Sequence, residues 1–404
     1  MKWRSGFGIC ASVLALSLLL TACGGGATPA SSPGPAGAKS TAPGVSDKEI
    51  VIGTFGPLTG PAAGWGDTLR GLAAYADFIN EQGGVNGRKL RVIIEDDQYQ
   101  PSKTVGAVKK MVEQDKVFAL VNVIGTSNLT AVQDYLVQNK VPVILYSTGS
   151  RKFQEPINPY FFAGLMPYED EAKVLMRFGN DTLKVKKYAV FYQNDDFGKG
   201  GLGGAKEAVA KIPGAQIVAE VAYNPADVDV SAYALKMKEA GAEAVLIWGT
   251  VKHGALVIKE AKKIGFQPKW LLSGVTAGFQ LAELTDGAGE GAYTVASTAT
   301  LTDTENVVVK EYLANQAKYL KNGPNSTQLG GWSAGRIFVE ALKRAGPEPT
   351  REQLIKAMET LKDYQGLALV NYSDKDHIGT RKAFVRQLQG NTYVKVTDLI
   401  DGSY

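Results

Sequence analysis

Cysteine and histidine are scarce in this chain of 404 residues, with two of each. That scarcity removes several chemistries at once. Cys10 and Cys23 both fall within the first 23 residues, so the rest of the chain has no disulfide, no thiolate metal site and no cysteine nucleophile. His253 and His377 leave little room for imidazole-based metal or acid–base chemistry. Charge of one sign is also missing. The 44 Lys and Arg nearly balance the 40 Asp and Glu, for a net charge of +4, and Lys2 and Arg4 sit at the N-terminus. A near-neutral body lacks the basic face that nucleic acid demands. There is no P-loop, so nucleotide hydrolysis is not expected of this chain. The apolar run Gly6–Leu20 is too short, and wrongly flanked, for a stable membrane span.

What is present begins with that run. Behind Lys2 and Arg4 it forms the apolar centre of a signal peptide, residues 1–22. Leu20-Thr21-Ala22-Cys23 resembles a bacterial lipobox, in which the cysteine is lipidated and becomes the new N-terminus. Residues 23–45 are rich in Gly, Pro, Ser, Ala and Thr and cannot build a core. They are expected to form a flexible tether, reaching roughly 70 Å when fully extended and about 25 Å as a coil. The expected location is extracytoplasmic, with Cys23 anchoring a globular body to the membrane.

The body alternates strand and helix signals. Glu49–Phe55 reads as a strand, Gly56–Asp67 as a Gly/Pro loop carrying Trp65, and Leu69–Gln82 as a helix closed by Gly83-Gly84. Leu90–Ile94 and Ser102–Gln114 repeat the pattern. In Phe118–Ser150 an apolar strand, the turn Gly125-Thr126-Ser127, a helix and a second strand, Val141–Leu145, follow one another. Two hydroxyl- and glycine-rich loops therefore lie side by side at the carboxyl ends of parallel strands, where α/β sheets bind ligands. Either hydroxyl of Thr126-Ser127 can cap the helix, and free N–H groups at its start favour a carboxylate. A second series of the same kind runs from Glu169 to Ser273. Then come a strand at Tyr293–Thr298, three helices, and an alternating stretch, Leu367–Val394, that reads as antiparallel strands. The fold class is α/β with two lobes.

The segments IGTFGPLTGPAAGWGDTLRGLAAYADFINEQGGVNGRKLRVIIEDDQYQPSKT, VIGTSNLTAVQDY and VPVILYSTGS resemble the Leu/Ile/Val-binding type of solute-binding protein, which serves bacterial ABC importers. The resemblance implies a type I periplasmic-binding fold. Two Rossmann-like lobes are joined by three crossovers, near Phe162–Met166, Ala292–Ala299 and Gln365–Ala368, with a ligand cleft between them. One lobe would hold 46–164 and 297–364, the other 165–296 and 365–404. It implies a monomer with ABC permease and ATPase partners, no cofactor, no metal and no catalysis, closing by hinge motion. By the same resemblance Thr126 holds a ligand carboxylate, while Ser147 and Gly149 meet the carboxylate and amine. Trp65 and Phe197 are aromatic walls, and Val275 and Thr276 lie in the loop that closes over the ligand. Val251 falls near another contact, and Tyr99 and Gly125 near a cysteine pair that some members carry. Amino-acid binders place an acid in the loop that here reads Ser273-Gly274-Val275-Thr276. A buried ammonium without a carboxylate is costly. The expected ligand is thus a partly hydrophobic carboxylate or amide more than an amino acid. A branched-chain amino acid binder proper, or a sensor that presents its ligand to a signalling receptor, are the alternatives.

Two motifs point elsewhere. Gly198-x-Gly200-x-x-Gly203 matches the dinucleotide fingerprint, yet Asn194–Phe197 separates it from its strand, and Asp195 and Asp196 would repel a pyrophosphate. Gly331-x-Ser333-x-Gly335 matches a hydrolase elbow, with Asp363 and His377 following in order, but no strand precedes it. A glycine-rich helix start lining the cleft explains the first, and small residues in helix packing explain the second. Turn chemistry explains Asp227-x-Asp229 and Asp374-x-Asp376 better than a cation does. Trp248, ending a strand, is either core or ligand wall.

Overall fold

A computed structural model describes residues 42–60, 62–278 and 280–403. The signal peptide, Cys23 and most of the tether lie outside the described residues. Among the described residues no helix is long and apolar enough to cross a membrane.

The first lobe is built on β1 (Glu49–Gly56), β2 (Lys89–Asp96), β3 (Ala119–Val121), β4 (Val143–Tyr146) and β5 (Phe161–Ala163). They form one parallel sheet in the order β2-β1-β3-β4-β5. Sequence and position agree: β1, β3 and β4 are buried along almost their whole length, as strands covered on both faces must be. Helices α1 (Asp67–Glu81), α2 (Pro101–Glu113) and α3 (Thr126–Gln138) make the crossings.

The second lobe repeats this plan with β6 (Lys187–Gln193), β7 (Gln216–Tyr223), β8 (Ala244–Trp248), β9 (Lys269–Leu272) and β10 (Tyr293–Ala296), ordered β7-β6-β8-β9-β10. Its helices are α4 (Tyr168–Asp181), α5 (Asp196–Val209), α6 (Ser231–Glu239), α7 (Val251–Lys263) and the short α8 (Leu281–Leu284). The chain then returns to the first lobe as α9 (Val307–Tyr319), α10 (Ser326–Ala345) and α11 (Arg351–Glu359).

Helix α10 lies against α1 so closely that a Cβ on Gly331 would come within 1.8 Å of the Thr68 carbonyl oxygen. One on Gly71 would come within 2.0 Å of that of Gln328. The hydrolase-like glycines are therefore contact points between two helices, and Ser333 sits mid-helix with no strand-to-helix turn beneath it. In the dinucleotide-like motif only Gly198 is pressed in this way, its Cβ position lying 2.0 Å from the Gln193 carbonyl, whereas Gly200 and Gly203 have no neighbour closer than 3.3 Å. The adjacent Gly201, outside the motif, lies against Trp248, its Cβ position 2.1 Å from the ring. Trp248 is thereby placed in the core, fully buried under α5.

The last strands divide differently from the expectation that all of 365–404 joins the second lobe. The small sheet of β11 (Tyr364–Gln365), β12 (Leu369–Ser373) and β13 (Asp376–Gly379) packs on the first lobe. There Phe162 takes Tyr372 edge-on at 5.4 Å and His377 stacked at 3.8 Å. Burying these rings outweighs continuing into the second sheet. That sheet is instead extended by β14 (Lys382–Gln389), antiparallel to β10, and by β15 (Thr392–Lys395) and the short β16 (Ile400–Asp401), each antiparallel to β14. The third crossover therefore falls at Thr380-Arg381. Asp227 and Asp229 accept from backbone N–H groups of their own turns, at Asn224 and Ser231.

Candidate functional site

Both sheets reverse strand order beside their first strand, at β1/β3 and β6/β8, and open α/β sheets bind ligands outside the carboxyl ends of strands at that point. A cavity of about 560 Å³ is lined by the first-lobe switch point at Asn122–Thr126 and, from the second lobe, by Phe197 after β6, Gly274 and Val275 after β9, and Thr294 of β10.

The first-lobe wall starts at Gly125, whose φ of 104° turns the chain from β3 into α3. No side chain caps α3, so its first-turn N–H groups, which have no intrahelical acceptor, are left for another partner. The two hydroxyls expected to cap it are used elsewhere. Thr126 Oγ1 is 2.6 Å from Thr148 Oγ1, and Ser127 Oγ donates to Asp195 Oδ2 of the other lobe at 3.1 Å. The Tyr168 hydroxyl joins Thr148 and Thr126, and burial raises it to about 12. Ser147 Oγ donates to Asn122 Oδ1 at 2.9 Å. Asn122 and Leu145 hold φ of 57° and 55°, values uncommon for residues with a side chain. Both line the cavity, and at Leu145 the register of β4 with β5 shifts.

Aromatic rings close the front. Trp65 meets Tyr99 edge-on at 5.6 Å and Phe197 of the second lobe at 6.2 Å, and Phe197 meets Tyr168 at 5.1 Å. Phe197 is held by the start of α5, where Asp195 accepts from Gly198 N–H. Trp65, Thr126, Ser147, Phe197 and Val275 all line the cavity.

Gly149 and Thr276 do not line it. A Cβ on Gly149 would meet the Met166 carbonyl at 2.3 Å, and the Gly149 carbonyl accepts from Tyr168 N–H, so Gly149 seats Tyr168. Thr276 is fully buried and ties its loop down, donating to Gly249 O at 2.8 Å and accepting from Gly249 N–H at 3.1 Å. Val251 packs against Gly278.

Glu171, on the second-lobe side, was missed in the sequence. It lines the cavity, 6 % exposed, and Oε2 accepts from Gly274 N–H at 3.3 Å. It forms no ion pair among the described residues. Burial pushes its carboxyl up to about 8, opposed by the Gly274 bond. The loop after β9 thus does meet a carboxylate, supplied by α4 rather than by the loop itself. The available signal was spacing: Tyr168 and Glu171 are i,i+3 on one helix face just past the first crossover. The neighbouring Asp170 is also buried but is matched by Arg151 at 2.6 Å, Lys173 at 3.0 Å and Arg381 at 3.3 Å.

A family profile described as periplasmic binding protein matches residues 49–392. The Leu/Ile/Val-binding protein homolog 3 of Brucella melitensis is 28% identical over 332 residues, covering 81% of this chain and 88% of its own. Two solved structures share the fold. The fatty acid ABC transporter substrate-binding protein from Thermomonospora curvata has a TM-score of 0.82 at 23% identity, covering 90% of this chain and 95% of that one. A branched chain amino acid ABC transporter from Thermus thermophilus with bound valine has a TM-score of 0.81 at 21% identity, covering 89% and 98%.

Proposed function

The chain belongs to the periplasmic binding protein family, of the branched-chain amino acid type, and from that premise we propose that it is the solute-binding subunit of an ABC importer that captures an α-amino acid with an apolar side chain. The relatives are solute-binding proteins and not enzymes, and the family works outside the cytoplasm.

The observation that carries the choice of ligand is Glu171. A buried carboxylate with no cation, facing a ligand cavity, is costly unless the ligand brings the charge. An ammonium does so. The ligand carboxylate fits the opposite wall, on the free N–H groups of α3, beside the Thr126 and Ser147 side chains. This reverses the preference, drawn from Val275, for a carboxylate or amide over an amino acid. Function is capture without chemistry. Hinge closure brings Phe197 and the Gly274-Val275 loop over a ligand seated on the first lobe, and a permease, with its ATPase, reads the closed form. Lipidation at Cys23 and the tether to residue 45 would hold the monomeric body near that permease. Solved relatives of this fold are named for ligands as different as valine and fatty acid, so the fold alone leaves ligand size open.

The test is a thermal-shift and calorimetric panel pairing each amino acid with its deaminated carboxylate, leucine with 4-methylpentanoate first. A ligand at 100 times its Kd stabilises by about 2.7 kcal/mol. Leucine-like amino acids should bind, their deaminated partners should not, and Glu171→Gln should weaken amino-acid binding by roughly a hundredfold. Equal binding of 4-methylpentanoate and leucine would sink the assignment of the amine.

A further inference from the structure

Capture of a leucine-sized ligand leaves much of the cavity unaccounted for. A dry site of roughly 150 Å³ holds a benzene ring, so about 560 Å³ accommodates about twenty heavy atoms, roughly twice a leucine. The space is one continuous cavity. Behind the ligand-head site it passes the crossover residues Gly164, Ala296 and Ala299 and reaches the N-terminal half of α10 at Gly330 and Ala334. These residues are small, and a Cβ on Gly330 would have no neighbour closer than 3.7 Å. Beyond them Ile337 and Leu369 line the far side, and Leu369 is a large aliphatic residue left 51 % exposed. The one cation on this stretch, Arg386, is already engaged by Thr300 and by Asp303 Oδ2, each at 2.5 Å. The rear chamber thus offers aliphatic surface interspersed with neutral hydroxyls such as Thr298, Ser333 and Tyr372, and no uncompensated charge among the described residues.

We propose that the natural ligand carries an extended alkyl chain, longer than any branched-chain amino acid's, running from the head site past the crossovers into this rear chamber. The direction of the chain rests on the reading of Glu171 and Thr126 as the head site.

Calorimetric affinities of the full chain for leucine, 2-aminooctanoate, 2-aminodecanoate and decanoate test this. Each methylene buried tightens binding about three- to fourfold, so 2-aminodecanoate should exceed leucine by about a hundredfold. Ala334→Phe, which fills the chamber from α10, should flatten that rise. Ala299→Leu should do the same from the crossover side if the first substitution fails to fold. Leucine binding as tightly as 2-aminodecanoate in the unmodified protein overturns the proposal and leaves the head site standing. Decanoate matching 2-aminodecanoate supports the chamber and overturns the role given to Glu171. Binding of none of the four overturns both.

Discussion

Glu171 makes the site sensitive to pH in a direction that separates two ligand chemistries. Its carboxyl titrates at about 8 in the folded chain against an ordinary 4.5, so between those values the folded state holds a proton that the unfolded chain has released. Stability from this group therefore falls as pH rises from about 4.5 to about 8. Glu171→Gln should remove that slope, checked by thermal melts across this range. Binding an ammonium favours the ionised form, so capture near pH 7 should release a proton and tighten toward pH 8. Calorimetry in buffers of different ionisation enthalpy measures the release. A ligand that accepts from the protonated acid would show the opposite trend. At the same scale, Trp65, Thr126, Ser147, Phe197 and Val275 were legible because each stands in or beside a loop at a strand end. Glu171 was not, because which acid among Glu169, Asp170 and Glu171 faces the cavity is decided by how α4 docks.

At the scale of elements, the loops of the site are held by carboxylates that never reach the ligand. Asp97 is fully buried and accepts from Tyr99 N–H, Thr104 Oγ1 and Asn128 Nδ2, joining the end of β2 to α2 and α3. Asp96 accepts from Leu58 and Thr59 N–H and from the Thr59 hydroxyl, which pins the loop leading to Trp65. Truncating Asp97 leaves the Tyr99 N–H unmatched and removes one of the two acceptors that Thr104 Oγ1 and Asn128 Nδ2 each have. Asp97→Ala should thus destabilise by about 3 kcal/mol, measured by urea unfolding. Gly331→Ala should cost at least as much, since the Thr68 carbonyl has no flexible end to yield. Most elements could be read from period and punctuation, and β1, β6 and β8 from their unbroken apolar runs. The ownership of β11 to β13 could not, because alternating short strands fit either lobe. The choice was made by two rings, Tyr372 and His377, finding Phe162 more than 200 residues away.

For the whole molecule, the question is what holds the lobes closed. Polar contacts span the cleft at Ser127–Asp195, Lys152–Asp196 and Tyr99–Gln193. The Lys152–Asp196 pair is short, 2.6 Å, but both side chains are more than a third exposed, and ion pairs so placed contribute about 0–1 kcal/mol. The Trp65–Phe197 contact is different in kind, because Phe197 is 2 % exposed and opening the cleft would return both rings to water. Closure should therefore be apolar in origin and ligand-dependent, with Lys152–Asp196 steering the lobes and the Arg151 pairs to Asp170 and Glu207 bridging them just before the first crossover. Trp65→Ala should weaken ligand binding about tenfold or more, whereas Lys152→Met should change it by less than about threefold. Small-angle scattering with saturating ligand reads closure directly. The Lys152→Met protein should contract as the unmodified chain does. The Trp65→Ala protein should stay extended until ligand is raised in proportion to its lost affinity, because a ligand closes the lobes only by its differential affinity for the closed form.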